Sequence, residues 1–246
     1  MPDQRENGSS LTARSSAACA FAWGGGVMFV ASLAWFAYFY YTILGHRTAP
    51  RETFVPHLTF DLLLFAVFAG HHSVLARERV KRFVTRWIPA SLERSVYVWI
   101  ASTLFVIVCR AWRPIPGGDL YDLMSWAAWL MRGMQVVGLL IIARTAGILD
   151  ALELAGIRQA RDEARSSDLR IVGPYRWIRH PLYLGWMLFV FGASQMSADR
   201  LAFAVVSSVY LVIAIPWEER SLIASLGNAY CEYKQKVKWR VVPYVY

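Results

Sequence analysis

Hydrophobic and polar positions alternate along the chain as six long apolar runs, at residues 19–44, 55–76, 95–113, 123–149, 181–197 and 201–217. A helix crosses a bilayer with about 20 apolar residues, and each run comes near that length. The pattern predicts an all-α fold, a polytopic membrane helix bundle of about six transmembrane helices. The fifth run is the shortest. The second carries Asp61, His71 and His72, and the fourth carries Arg132 and Arg144. Arg132 is expected either to snorkel or to pair with Asp61.

Two polar segments repeat with helical period. In RERVKRFVTRWIP, Val80, Phe83, Val84 and Trp87 recur at i, i+3, i+4 and i+7 among Arg79, Lys81, Arg82 and Arg86, which suits a helix in the headgroup layer. Past the last run, Leu226, Tyr230, Tyr233 and Val237 repeat similarly, with Gly227-Asn228 as a break, so a C-terminal amphipathic helical tail is expected. There is no internal repeat. The chain divides into a tail at 1–18, membrane helices at 19–150 and a C-terminal core at 151–246.

Composition supports the membrane reading: 57% of residues are hydrophobic and only 17% charged, against about 25% charged in ordinary globular domains. Disorder and a soluble single domain are both excluded on that ground. The net charge of +9 would suit a nucleic-acid partner, but its placement argues otherwise. Of 26 Lys and Arg, two lie in the N-terminal tail, six in 77–94, six in 158–179 and five in 220–240. The alternate connections hold only Arg47 and Arg51, Arg110 and Arg113, and Arg200. The asymmetry places both termini in the cytoplasm, and no nucleic-acid partner is expected. Cys19, Cys109 and Cys231 are too scattered for a disulfide framework, and without a CxxC pair no metal site is expected.

Two segments carry candidate chemistry. In RIVGPYRWIRHPLYLGW, residues 170–186, Gly173-Pro174 marks a turn and Pro181 suits the first helical position, leaving His180 near the N-cap. Free amides there could hold a carboxylate or phosphate, with Tyr175, Arg176, Arg179, His180 and Tyr183 around one polar mouth. Equally, the segment could be a basic turn snorkelling to lipid with a tyrosine belt. At the end of the sixth run Pro216 is expected to end or kink the helix, with Glu218 and Glu219 in the first turn of the tail helix. Adjacent residues point about 100° apart, so one glutamate can face the bundle and the other water. Both could instead simply favour the helix dipole.

The combination GPYR-x-x-RHP-x-Y-x-G at 173–185, EE-x-x-L at 218–222 and G-x-x-Y-x-x-Y at 227–233 resembles the C-terminal core of the integral-membrane methyltransferase superfamily, of the isoprenylcysteine carboxyl and phospholipid methyltransferase type. The resemblance covers about the last third of the chain. It implies an S-adenosylmethionine pocket between the last two spans and the tail, with small apolar or lipidic substrates arriving through the membrane. His180, Tyr183, Gly185, Glu218 and Glu219 match the cofactor-pocket positions, with Tyr175 and Arg179 beside them. After Tyr233 the tail, VKWRVVP, departs from the family's Y-x-x-x-V-P-x-x-x-P pattern: it lacks the first Pro and is one residue longer. The stretches at 70–105 and 191–204 resemble bacterial methanethiol S-methyltransferases, which implies a small thiol acceptor and a bacterial inner membrane.

Methyl transfer from a sulfonium is an in-line displacement that asks the protein mainly to align and to exclude water. A thiol reacts as thiolate, so a base or a positive site is needed. His71 and His72 are the available base candidates, although histidines near a helix end can be simply solvated, and Arg179, with His180 and the helix N-terminus, would suit the methionyl carboxylate of the cofactor. Two rivals remain open. The tail WRVVPYVY is also similar to sterol reductases that use NADPH, and a non-catalytic membrane protein could retain the same fold.

Overall fold

The computed structural model describes residues 3–75, 78–161 and 169–246; Arg77 of the amphipathic stretch and residues 162–168 of the basic segment 158–179 lie outside them. Among the described residues five helices are long and apolar enough to cross a membrane. They are α1 (Asp3–Tyr38, running into a π-helical turn at Phe39–Ile43), α2 (Phe54–Leu75), α4 (Ala90–Ala111), α5 (Ser125–Ile148) and α9 (Ala198–Leu226). The expected all-α polytopic membrane bundle is therefore what forms. Short α3 (Glu78–Val84) joins α2 to α4. It stops before Trp87, which is exposed along with Phe83, so the amphipathic segment is helical over only part of its length.

The fifth apolar run departs from expectation. Helix α8 (Pro181–Phe191) has 11 residues and is therefore about 16 Å long, half the hydrocarbon thickness. The backbone leaves the helix at Gly192, and β2 (Gln195–Ser197) pairs antiparallel with β1 (Asp119–Asp122) from the connection between α4 and α5. Leu123 N–H also donates to the Ser194 carbonyl at 2.9 Å. Apolar residues after 191 thus serve a strap across the far end of the bundle, and the fifth run contributes a short helix in place of a full span.

Pro216 does not end α9, which continues to Leu226. A proline removes one backbone bond, and spanning helices tolerate it where neighbours satisfy the freed carbonyl. Glu218 and Glu219 consequently sit on the same helix as the last span. The tail helix proper, α10 (Asn228–Lys236), starts after Gly227, where φ is +58°. Tyr230, Tyr233 and Val237 bury their shared face against Leu222, Ile223, Leu226 and Leu169, which accounts for the periodicity in the sequence.

Aromatic side chains fill the centre. Phe36 of α1 meets Phe105, Trp186, Phe189 and Phe203 with ring centroids 5.1–6.0 Å apart, joining α4, α8 and α9 around one residue. At the far end buried Asp199 ties three segments: its carboxylate accepts from Trp112 Nε1 (2.8 Å), Gly45 N (3.1 Å) and Ile115 N (3.2 Å). Asp61 is likewise buried and accepts from the Arg113 backbone N–H at 2.9 Å, so it does not pair with Arg132.

Helices α5 and α8 pack most closely where two glycines meet. A Cβ built on Gly185 would stand 2.7 Å from the Gly138 carbonyl, and one on Gly138 would stand 2.5 Å from the Gly185 carbonyl. Both obstacles are backbone, so neither can swing aside. Gly185→Ala should therefore lower stability by about 1–3 kcal/mol, read as a fall in the melting temperature of the detergent-purified protein. An unchanged melting temperature would mean that the two helices are not held at this distance.

Candidate active site

The segment at 173–183 folds as two short pieces. Gly173 takes a φ of +57° and opens a 3-10 turn, Gly173–Arg176, after which Pro181 starts α8 with His180 at its cap. The tail then closes over this element. Ile178 bridges Trp239 in parallel, Arg179 N–H donates to the Trp239 carbonyl (3.0 Å) and His180 N–H to the Arg240 carbonyl (2.8 Å). The amides of Tyr183 and Leu184 are taken by the His180 carbonyl. Four of the amides around this expected anion site are thus taken by the protein's own carbonyls, two of them on residues some 60 positions away.

Side chains behind that closure form one charged network. Arg179 donates from Nε to Glu219 Oε1 at 2.6 Å, and from one terminal nitrogen to the carbonyls of Val237 (2.7 Å) and Lys238 (2.8 Å). Lys234 Nζ reaches Glu219 Oε2 at 3.1 Å. His180 lies between the two glutamates, Nε2 at 3.4 Å from Glu219 Oε1 and Nδ1 at 3.5 Å from Glu218 Oε2. A neutral imidazole donates from only one nitrogen, so this placement favours the imidazolium. Burial works to lower the His180 pKa, but the hydrogen bonds to Glu218 and Glu219 outweigh it and the pKa is raised.

Burial separates the adjacent glutamates. The Glu219 side chain is 4% exposed, whereas that of Glu218 is 44% exposed, toward a cavity of about 470 Å³. Tyr183 donates its hydroxyl to Glu218 Oε2 at 2.5 Å and stacks on His180 at 5.2 Å between ring centroids. The cavity lies at the end of the bundle that gathers the basic segments. Its walls include Tyr175, Arg179, His180, Tyr183 and Glu218, with Tyr230 and Tyr233 from the tail. Burial pushes the Tyr175 and Tyr230 hydroxyls well above the usual phenol range, keeping both neutral. Tyr233 donates to the Tyr175 carbonyl at 2.8 Å and so fastens the tail to the 3-10 turn.

The remaining sequence candidates fall elsewhere. Gly185 is outside the cavity walls and belongs to the α5 contact, and Arg176 is exposed and also outside them. His71 stacks on Tyr97 at 5.5 Å, and its ring nitrogens have no hydrogen-bond partner among the described residues. His72 is hydrogen-bonded through Nδ1 to the Tyr97 hydroxyl at 2.6 Å and lies within electrostatic range of Glu218 and Arg94.

Several wall residues escaped sequence reasoning. Glu93 and Arg94 open α4, while Glu153 and Gln159 come from α6 (Ala151–Leu154) and α7 (Ile157–Ala160). These short helices roof the cavity because Gly156 lies against α4: a Cβ there would meet Ser95 N at 2.7 Å, and Ser95 Oγ donates to its carbonyl at 3.1 Å. Arg94 Nε donates to the Leu154 carbonyl at 3.2 Å, and Arg170 binds the Ile148 carbonyl at 3.2 Å. Only the Gly-Ile junction at 156–157 hinted at such a turn in the sequence.

The walls combine neutral phenol faces, the Glu218 carboxylate beside them, and the guanidinium groups and the carboxylates of Glu93 and Glu153 toward the roof. This composition suits a ligand that carries a cation at one place and a carboxylate at another.

Comparison with known proteins gives a concordant result. Residues 139–224 match the Isoprenylcysteine carboxyl methyltransferase (ICMT) family, a range that contains Tyr175, His180, Tyr183 and both glutamates. Methanethiol S-methyltransferase 2 of Bradyrhizobium diazoefficiens is 35% identical over 182 residues, which cover 72% of this chain and 70% of the relative. Methanethiol S-methyltransferase of Mycobacterium tuberculosis is 33% identical over 183 residues, 72% and 75% of the two chains. A relative of different name, Nurim of Homo sapiens, is 29% identical over 178 residues, 67% and 68% of the two chains. No solved structure matches the chain.

Proposed function

The chain belongs to the isoprenylcysteine carboxyl methyltransferase family, and from that premise we propose that it is an integral-membrane methyltransferase that uses S-adenosylmethionine to methylate a small thiol such as methanethiol. The observation that carries this reading is the accessible carboxylate of Glu218 inside a cavity of phenol faces. When bound, the cofactor supplies an electrophilic methyl group on a sulfonium. Glu218 and the faces of Tyr175, Tyr183 and Tyr230 favour that positive charge. Arg94 and Arg170, at the roof, suit its carboxylate.

Arg179 acts by positioning: it spends its donors on Glu219 and the tail carbonyls, and so holds the tail over the cavity. Closure by the tail and by α6 and α7 excludes water from the displacement. From beside the cavity, His72, oriented by Tyr97, would take the thiol proton and release it to water, and the bound cofactor would supply the methyl group to the thiolate sulfur. A thiolate meeting a sulfonium ends with no net charge on either, so no further proton is required. The basic end carrying the cavity faces the cytoplasm of a bacterial inner membrane, consistent with the distribution of Lys and Arg. The apolar acceptor reaches the site from the lipid.

Calorimetric titration in detergent with S-adenosylhomocysteine and with NADPH tests the class, and methyl transfer to methanethiol tests the acceptor. Binding of the first compound alone, with dimethyl sulfide formed, is expected. Binding of NADPH alone would reassign the fold to a reductase, and binding of neither by folded protein would make it non-catalytic. Within the same reading, His72→Gln should lower kcat with a thiol by about 10²-fold, the size of a general-base contribution, while leaving S-adenosylhomocysteine affinity unchanged. Unaltered thiol kinetics would remove His72 from the reaction.

A further inference from the structure

A second cavity, of about 420 Å³, lies toward the opposite end of the bundle from Glu218. His46, Arg132 and Arg200 line it together with Gln135, Val136 and Leu139, and no Asp or Glu is among its walls. Arg200 is 7% exposed and donates to the carbonyls of Gln195 (2.7 Å) and Tyr40 (3.5 Å), while its Nε has no partner. No carboxylate lies within ion-pair distance of it among the described residues. Arg132 is exposed and its guanidinium sits over the ring of Trp129, at 5.2 Å, and the acid that the sequence offered it, Asp61, is bound to the Arg113 backbone instead.

Arg132 is the eighth residue of α5, about 10 Å along the helix from its start. A guanidinium at that depth in lipid is costly unless it meets an anion or water. Deeper along the same helix face, Val136 and Leu139 are 54% and 48% exposed, which gives the cationic rim an apolar floor. Positive charge at the rim and bare hydrocarbon below it match the two parts of one kind of molecule.

We propose that this cavity binds an anionic phospholipid, its phosphate held by Arg132, Arg200 and His46 and one acyl chain lying over Val136 and Leu139. The recognised chemistry is a phosphate group, and the apolar floor assigns its source to the membrane over the aqueous phase. The site is separate from the methyl-transfer cavity and does not depend on the reaction assigned there.

The experiment is a melting series on the delipidated, detergent-purified protein with added phosphatidylglycerol, phosphatidylcholine or inorganic phosphate. Phosphatidylglycerol should raise the melting temperature of the wild type by about 3 °C or more, with smaller shifts from the other two. Arg132→Gln and His46→Gln, at exposed positions that can change without unfolding the bundle, should each reduce the phosphatidylglycerol shift by half or more. Arg200→Gln would abolish the shift but also frees the Gln195 and Tyr40 carbonyls, so the proposal is judged on the first two. Equal shifts in wild type and in both variants would overturn it. A shift reproduced in full by inorganic phosphate would overturn the lipid assignment and leave an oxyanion site open to water.

Discussion

Glu219→Ala should be the most damaging single substitution in the C-terminal core. It leaves the Arg179 guanidinium, 5% exposed, with the carbonyls of Val237 and Lys238 but no counter-charge, and it strips partners from Lys234 and His180. Removing one member of a buried pair costs about 3–5 kcal/mol, because the survivor stays desolvated. The loss should appear as a lower melting temperature and as proteolysis within 227–246, since Arg179 is what the tail is fastened to. The pair itself need not be stabilising, so Arg179→Met combined with Glu219→Leu should recover a large part of the loss. A double variant no more stable than Glu219→Ala would show that the other two contacts of Glu219 dominate.

The same carboxylate gives stability a pH dependence. His180 has a raised pKa through its two glutamate contacts. Its contribution is therefore fully present below the unfolded value of about 6.5 and is lost as pH rises through the folded value. In Glu219→Ala one of the two contacts is gone, so the alkaline loss should shrink.

The long spans were legible because each is a predominantly apolar stretch of about twenty residues, even where Asp61 or Arg132 interrupts it. The limit of α8 was not. Gly192 and the polar Ser194, Gln195 and Ser197 weaken the run there, but it is β1, more than 70 positions earlier, that makes it a strap by pairing with Gln195–Ser197. Pro216 misled in the other direction, since a local rule for helix ends yields where a long helix is packed along its length. At the candidate site, the structure brings the RHP and EE elements together, and the pairing of the Arg179 and His180 amides with the carbonyls of Trp239 and Arg240 could not be read from spacing. Arg94 and Glu153 were invisible for a related reason: each lies in an ordinary charged connection until α6 and α7 fold onto α4. The difference between Glu218 and Glu219 was foreseen only as the 100° between neighbours; which one meets the cavity depends on where Arg179 and Lys234 stand.

Glu218→Gln should separate binding from chemistry. The side chain is isosteric, and Glu218 is not part of the Arg179 clamp, so the melting temperature should stay close to that of the wild type. Two unit charges 4 Å apart interact with about 4 kcal/mol at an effective dielectric constant of 20, and the 44% exposure of this carboxylate reduces that further. A residual of about 1.4 kcal/mol is a tenfold change in affinity. It should fall on S-adenosylmethionine, which carries the sulfonium, and hardly on S-adenosylhomocysteine, which does not. Because thiolate and sulfonium neutralise each other as the reaction proceeds, charge at the leaving sulfur is lower in the transition state than in the bound cofactor. A carboxylate beside it therefore holds the ground state at least as well as the transition state, and removing it should raise the cofactor KM about tenfold while kcat is kept or increased. Calorimetry with both ligands and steady-state rates at saturating thiol measure this directly. Equal weakening of the two ligands would place Glu218 against some other part of the cofactor, and a fall in kcat with unchanged KM would mean that its role begins only once the methyl group is in flight.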